Sequence, residues 1–152
     1  MAIQERTSHI LTGFAASASA FVNALDGNRL RIAREAGVNG TELRALFRVA
    51  RVVSVTPKDL AAHLGMTTGA ITAISRRLVD MGLVDRVDHP DDRRSLYLEL
   101  SPKGNEVMES IHREFTAMLS ASTSSLNARQ LADFTAALES VATEVRERSG
   151  QA

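Results

Sequence analysis

The stretch that decides the fold is residues 56–82, TPKDLAAHLGMTTGAITAISRRLVDMG. Thr56, followed by proline, can cap the start of a helix, and Gly65 can end that short helix. Thr67 can cap a second helix, which continues to Gly82. Two helices joined by a tight turn that contains glycine are the signature of a helix-turn-helix motif.

A β-hairpin is predicted directly after these two helices. Residues 83–87 are typical of a strand, and residues 88–92 form a polar turn that contains proline. Leu96, Leu98 and Leu100 then alternate with polar residues, which indicates a second strand with one buried face. We therefore expect a two-stranded hairpin that projects as a wing.

Long helices flank this central region on both sides. Apolar residues recur at helical spacing over residues 5–36, which predicts one long helix, bent near Gly27 and ended by Gly37. The fold class is therefore mainly α with a small β-hairpin wing (α+β). The remaining helices are predicted at residues 41–50, 102–120 and 128–148.

Composition excludes several classes of protein. The chain has 152 residues, of which 44% are hydrophobic and 24% charged, and this balance is usual for one folded domain. Cysteine is absent, which excludes disulfides and thiolate metal sites. No apolar run approaches ~20 residues and no signal-peptide core follows the first residues, so we expect a cytoplasmic protein without a membrane partner.

Catalytic motifs are also missing from the sequence. It contains no glycine-rich phosphate loop, nucleophile elbow or paired-carboxylate motif. We therefore expect no enzyme activity, no catalytic residues and no cofactor.

Charge is balanced over the whole chain but not locally. Eighteen basic residues cancel eighteen acidic ones, whereas residues 29–58 carry seven basic residues against two acidic ones. Arginine outnumbers lysine by sixteen to two. Arginine suits bidentate contacts with phosphate and guanine, although solvated helix faces are the better explanation for any single arginine.

The second helix of the motif has two different faces. Its apolar stripe, spaced by three and four residues, consists of Ile71, Ile74, Leu78 and Met81. Its opposite face is predicted to carry small hydroxyls and a cation, namely Thr68, Thr72, Ser75 and Arg76. Ordinary solvent faces are usually rich in Glu and Lys, but this one has no acid before Asp80. The pattern favours insertion into a DNA groove, with the helix N-terminus at Thr67 close to a phosphate.

The predicted hairpin tip concentrates charge in Asp91, Asp92, Arg93 and Arg94. A turn with a surface ion pair is one explanation. The other is an arginine, oriented by Asp92, that enters a narrow minor groove. The helix-turn-helix directly before the tip favours this second explanation.

The sequence resembles the MarR family of winged-helix transcriptional regulators. The resemblance is firm over residues 56–104. Its most specific element is the wing pattern Asp92-x-Arg94, followed by Leu100-Ser101. The other matching motifs are Leu60-Ala61-x-x-Leu64-Gly65, Gly69-Ala70-Ile71-Thr72, Arg77-Leu78, Gly82-Leu83-Val84, Arg86, Pro90 and Gly104.

This resemblance implies a single MarR-type domain over residues 1–152. Residues 1–38 and 105–152 would form dimerisation helices, and residues 39–104 the winged helix-turn-helix that binds double-stranded DNA as a homodimer. The recognition helix would lie in the major groove and the wing in the minor groove. The predicted DNA-binding residues are Thr67, Thr68, Gly69, Thr72, Ser75, Arg76, Arg77, Asp92, Arg93 and Arg94.

One departure from the family concerns the recognition helix. Members often carry a basic residue directly after the threonine at position 72, whereas this chain has Ala73. Arg76 stands where many members have an acid. The base contacts are therefore expected to be shifted by one helical turn relative to the family.

The resemblance also implies a small-molecule effector that tunes a repressor. Family ligands lodge between the dimerisation helices and the winged helix, and candidates in that zone are Phe14, Phe47 and His112. Plain core packing is the simpler explanation for each of them. We expect no metal, although some relatives sense zinc and His112, Glu109 and His9 make a metal-responsive regulator the alternative.

A second alternative is a winged-helix module that binds protein rather than DNA. Zero net charge favours it, as do seven acids against six bases in residues 59–103. The acid-free face of the second helix and the arginines of the wing count against it.

Overall fold

The computed structural model describes residues 10–88 and 95–149. The chain forms two compact units that divide between Glu109 and Ser110. It is mainly helical with a small antiparallel sheet, as predicted. The elements are α1 (Gly13–Glu35), α2 (Gly40–Val52), β1 (Ser54–Val55), α3 (Pro57–Leu64), α4 (Thr68–Asp80), β2 (Val84–Asp88), β3 (Leu96–Leu100), α5 (Pro102–Ser122) and α6 (Ala128–Ser149).

The helix-turn-helix is confirmed in its boundaries. The Thr56 hydroxyl accepts a hydrogen bond from the Asp59 N–H at 3.1 Å, and the Thr67 hydroxyl accepts one from the Ala70 N–H at 3.3 Å. Gly65 ends α3 with a φ of 65°, in the left-handed region that glycine adopts without steric cost. These local caps fix where α3 ends and where α4 begins.

Helix α1 begins later than predicted. It starts at Gly13, whereas the apolar spacing predicted a start near residue 5, and residues 1–9 lie outside the described residues. The helix continues through Gly27 without interruption and ends before Gly37, whose φ is 70°. The predicted end is confirmed, and Gly27 does not break the helix.

The sheet has three strands rather than the two that were predicted. Its order is β1-β3-β2, and both pairings are antiparallel. Ser54 pairs with Glu99 and Val55 with Leu98. A strand of two residues is too short for alternation to reveal, and it forms here because Val55 and Leu98 are both buried.

The core of the first unit lies between the helices and one face of this sheet. Its largest fully buried side chains come from α2, α3, α4, β2 and β3. They are Leu43, Leu46, Val49, Leu60, Ile71, Leu78, Val84 and Leu98. This core holds α4 by its apolar stripe and leaves the other side of the helix exposed.

The start of α5 lies directly against the backbone that precedes β2. The Ser101 hydroxyl donates to the Gly82 carbonyl at 2.6 Å and accepts from the Gly104 N–H at 2.9 Å. The Ser101 N–H donates to the Leu83 carbonyl at 3.1 Å. The predicted cap at Ser101 is confirmed, and it also joins α5 to the end of the helix-turn-helix.

The second unit contains α6, which begins with a reciprocal cap. Asn127 Oδ1 accepts from the Gln130 N–H at 2.9 Å, and Gln130 Oε1 accepts from the Asn127 N–H at 3.0 Å, as predicted. Every residue of α6 is exposed within this single chain. None of the helices in residues 10–88 and 95–149 is long and apolar enough to cross a membrane.

Candidate nucleic-acid interface

Helix α4 separates its residues into a buried side and an exposed side. Ile71, Ile74 and Leu78 are buried, with exposed fractions of 0%, 9% and 1%. The opposite side of the helix is open to solvent over three turns. It carries Thr68, Gly69, Thr72, Ala73 and Arg76.

The hydroxyls and the cation on this face differ in how they are engaged. Thr72 donates its hydroxyl proton to the Thr68 carbonyl at 2.9 Å, so the oxygen lone pairs remain as acceptors. Arg76 makes no hydrogen bond or ion pair with any of the described residues. The face therefore presents acceptors near its start and a five-donor guanidinium one turn later.

The placement of Ser75 on this face is wrong. Ser75 is 3% exposed, and its hydroxyl donates to the Ile71 carbonyl at 2.7 Å. The spacing contained the signal, because Ser75 lies four residues after Ile71 and three before Leu78. Residues three and four apart share one side of a helix, which here is the buried side.

Arg77 has a partner that sequence reasoning missed. Its Nε lies 2.9 Å from Oε1 of Glu42, whose side chain is 3% exposed. Arg77 is thus bonded to α2, while 59% of its side chain stays exposed, and its predicted contact with DNA remains a prediction. The partner lies 35 residues earlier in the chain, so no local pattern indicates it.

The predicted wing contacts Asp92, Arg93 and Arg94 lie outside the described residues. The strands on either side of them are described, and their pairing extends as far as Asp88 with Leu96. The wing contacts therefore remain predictions from the sequence.

A cavity of about 510 Å³ lies in the first unit, among α1, α2 and α3. Its apolar wall includes Phe47, one of the three effector candidates. Phe14 does not line this cavity and is 72% exposed, and His112 is an exposed residue of the second unit. The lining residues are Asp26, Arg29, Leu30, Gly40, Leu43, Arg44, Phe47, Arg48, Arg51, His63 and Leu64.

The cavity is strongly basic. Arg44, Arg48 and Arg51 line it from one side of α2, at a helical spacing of four and three residues. Arg48 Nε is buried and has no hydrogen-bond partner among the described residues. This spacing is visible in the sequence, but the local charge balance alone did not identify a binding site there.

His63 responds to these charges. Partial removal from water lowers the pKa of its imidazole, and the positive charges of Arg48, Arg44 and Arg51 lower it further. An anion in the cavity would offset the arginine charges and favour the protonated imidazole.

The described residues form no metal centre. Within residues 10–88 and 95–149, no three His, Asp or Glu side chains gather closely enough to hold an ion. His9, one of the residues of the zinc alternative, lies outside these ranges.

Comparison with known proteins finds a similarity to one family over part of the chain. The model of the MarR family matches residues 36–95. The multiple antibiotic resistance protein MarR of Salmonella typhimurium is 28% identical over 76 residues, which are 50% of this chain and 53% of that protein. The transcriptional repressor MprA of Escherichia coli is 30% identical over 86 residues, 55% of this chain and 49% of that protein. The chain thus spans about half the length of these curated relatives.

Solved structures agree in fold. FabT of Streptococcus pneumoniae in complex with DNA superposes with a TM-score of 0.71 at 21% identity, over 88% of this chain and 94% of that chain. A mutant of MarR from E. coli gives a TM-score of 0.65 at 21% identity, over 88% and 98% of the two chains. These matches establish the winged-helix fold with its flanking helices. Among these proteins, MprA is named a transcriptional repressor, and the FabT structure contains DNA. Over residues 36–95 the chain is similar to the MarR family of transcriptional regulators, and it shares the winged-helix fold of these solved structures.

Proposed function

We propose that this protein is a sequence-specific transcriptional repressor in the cytoplasm, binding a pseudo-palindromic operator in double-stranded DNA as a homodimer. The observation that carries the proposal is the exposed face of α4, where Thr68, Thr72 and Arg76 stand without an acid before Asp80. The structure of FabT, a protein with the same fold, was solved in complex with DNA. Hydroxyls suit phosphate and base-edge contacts, and arginine suits guanine.

Apolar residues that a single chain leaves in water support the proposed homodimer. Helix α6 carries a stripe spaced by three and four residues, the spacing by which helices pack side by side in coiled coils. This stripe consists of Leu131, Phe134, Leu138, Val141 and Val145, with exposed fractions of 39–60%. Helix α1 and the residues before it add Ile10, Leu11, Phe14, Phe21 and Val22, all exposed. A second copy with two-fold symmetry would cover these surfaces and place two recognition helices about 34–36 Å apart.

The proposed role of the wing in DNA binding rests on the sequence alone. Arg94 would enter the minor groove next to the recognition helix, oriented by Asp92. Arg93 would contact the adjacent backbone phosphates.

Arg76→Ala tests the recognition helix. An operator is first selected from a random DNA pool with the wild-type protein. The variant should bind this operator about 5- to 150-fold more weakly and lose its preference at one base pair, because a bidentate contact with guanine is lost. Fluorescence anisotropy at fixed salt measures the affinity. The matched control is Arg129→Ala, which removes the same charge from the exposed start of α6.

Two outcomes would count against the proposal. If Arg76→Ala selects the same sequence with unchanged affinity, α4 does not read DNA through Arg76. If no DNA binds, or binding is independent of salt, the module binds protein instead, because contacts with phosphate weaken steeply as salt rises.

The effector of the proposed repressor is a small organic anion with an apolar body, bound in the cavity of the first unit. The cavity volume of about 510 Å³ suits such a ligand. Leu30, Leu43 and Phe47 supply an apolar wall, and Arg48 Nε supplies a buried donor that lacks a partner among the described residues. Binding there would bridge α1, α2 and α3, and would thereby bias the helices that support α4.

His63 gives this effector site a pH signature. Aromatic carboxylates such as benzoate should bind more tightly as the pH falls from about 7.5 to 5.5, because the bound anion raises the lowered pKa of His63 and a proton is taken up. Calorimetry in two buffers of different ionisation enthalpy measures both affinity and proton uptake. His63→Gln should abolish the uptake, whereas His112→Gln should leave it unchanged. Equal proton uptake in wild type and His63→Gln would exclude His63 from the site.

A further inference from the structure

Glu42 is a buried carboxylate with two separate tasks. It lies in the first turn of α2 and is 2% exposed. Its Oε2 accepts the backbone N–H of Asn39 at 2.8 Å, while Oε1 faces Arg77 Nε at 2.9 Å. Asn39 Oδ1 in return accepts the N–H of Glu42 at 2.9 Å. The capping box therefore holds the Glu42 carboxylate in the position where it contacts Arg77.

Arg77 joins this cap to the recognition helix. Its Nε binds Glu42, and its Nη2 donates to the Gly37 carbonyl at 3.4 Å. Gly37 belongs to the turn between α1 and α2, and its φ of 70° sets the course of that turn. One guanidinium thus connects the last turns of α4 with both the α1–α2 turn and the first turn of α2.

This connection is directional in a way that the core contacts of α4 are not. Burial of Ile71 and Leu78 holds α4 against the core, but apolar contacts tolerate a small rotation of the helix. Charge-assisted hydrogen bonds to a planar guanidinium have a narrow geometry. Arg76 is the adjacent residue on the same backbone, so a fixed rotation of α4 at Arg77 also sets where the Arg76 side chain leaves the helix.

We propose that Glu42 and Arg77 are positioning residues for DNA recognition, which set the rotation of α4 and thereby the presentation of Thr72 and Arg76. The inference rests on the proposed function, in which α4 reads DNA. It also gives Arg77 a role in specificity without contact with DNA.

The test compares conservative variants of both partners. Glu42→Gln keeps an acceptor for the Asn39 N–H but removes the charge, and Arg77→Lys keeps the charge but loses the planar fork. The readout is the ratio of affinities for the selected operator and for random-sequence DNA at fixed salt and 10 °C, together with the melting temperature. Arg148→Lys is the matched control, because it alters an exposed pair with Glu144 in α6.

Each variant is expected to lower the specificity ratio about tenfold, while affinity for random DNA stays within about twofold. The double variant should lose no more than the worse single variant, because both act through one pair. Glu42 is buried, so its effect on operator binding cannot come from contact with DNA.

Four results would overturn the inference. A lowered melting temperature with an unchanged specificity ratio would make the pair structural only. An equal loss for operator and random DNA in Arg77→Lys, with none in Glu42→Gln, would make Arg77 a phosphate contact. If the wild type selects no sequence, the proposed function itself fails, and the inference fails with it. A wild type that selects an operator while Glu42→Gln retains its full ratio overturns the inference alone.

Discussion

Replacing Gly104 with alanine is expected to destabilise the protein by about 3 kcal/mol, at the upper end of the range for overpacked sites. A Cβ at this position would lie 2.0 Å from the Leu83 carbonyl oxygen and 3.0 Å from its carbon. Both are backbone atoms, so no side chain can swing aside to make room. Helix α5 would have to move away from the end of the helix-turn-helix.

That movement would also break hydrogen bonds. The Ser101 hydroxyl lies 2.6 Å from the Gly82 carbonyl oxygen, and its N–H lies within bonding distance of Leu83. These groups lie at a part-buried junction, where an unsatisfied donor or acceptor costs about 1–3 kcal/mol. The steric cost and the lost bonds therefore act in the same direction.

Chemical denaturation monitored by circular dichroism measures this effect. Gly27→Ala is the control, because a Cβ there meets nothing within 4 Å and the residue lies inside α1. The control should gain about 1 kcal/mol from the higher helix propensity of alanine. Equal stability of Gly104→Ala and wild type would mean that α5 does not approach Leu83 as closely as described.

A glutamate in the middle of the α6 stripe is expected to dissociate the proposed homodimer. Leu138 is the central member of the stripe, and a charge at a covered position of each protomer must be desolvated without a partner. The dissociation constant should rise by on the order of a thousandfold, the equivalent of about 4 kcal/mol. Sedimentation velocity at micromolar concentration should find a dimer for the wild type and a monomer for Leu138→Glu.

Ala136→Glu is the matched control for this experiment. Ala136 lies on the opposite side of α6, two residues from Leu138, and both are exposed in the single chain. The control should remain a dimer and keep its affinity for the operator. A wild type that sediments as a monomer would contradict the homodimer, and a dimeric Leu138→Glu would show that its interface does not include the stripe.

The sequence predicted those parts of the fold that short segments determine. Thr56 and Thr67 cap their own helices through residues three positions later, and Gly65 ends α3 by its own conformation. Such signals lie within a few residues of one another, so a single sequence reveals them. The two-residue strand β1 was missed because it depends on β3, some 45 residues further on.

In the candidate interface, too, the sequence predicted only the features that nearby residues determine. The exposed positions of Thr68, Thr72 and Arg76 follow from the helical repeat, and stricter use of that repeat would have placed Ser75 in the core. Arg77 could not be assigned in this way, because its partner Glu42 reaches it only in the folded chain. The cavity could not be predicted either, because it forms only where three helices meet beside the arginines of α2.

The strand order β1-β3-β2 has a consequence for solubility. Strand β1 covers one edge of β3, and the outer edge of β2 is left without a neighbouring strand in the described sheet. An open edge invites strands of other molecules to add to it, which begins aggregation. Strand β2 has the sequence Val-Asp-Arg-Val-Asp and is exposed from Asp85 to Asp88. Its charges oppose such growth, so the wing region can remain accessible in a crowded cell without seeding intermolecular sheets.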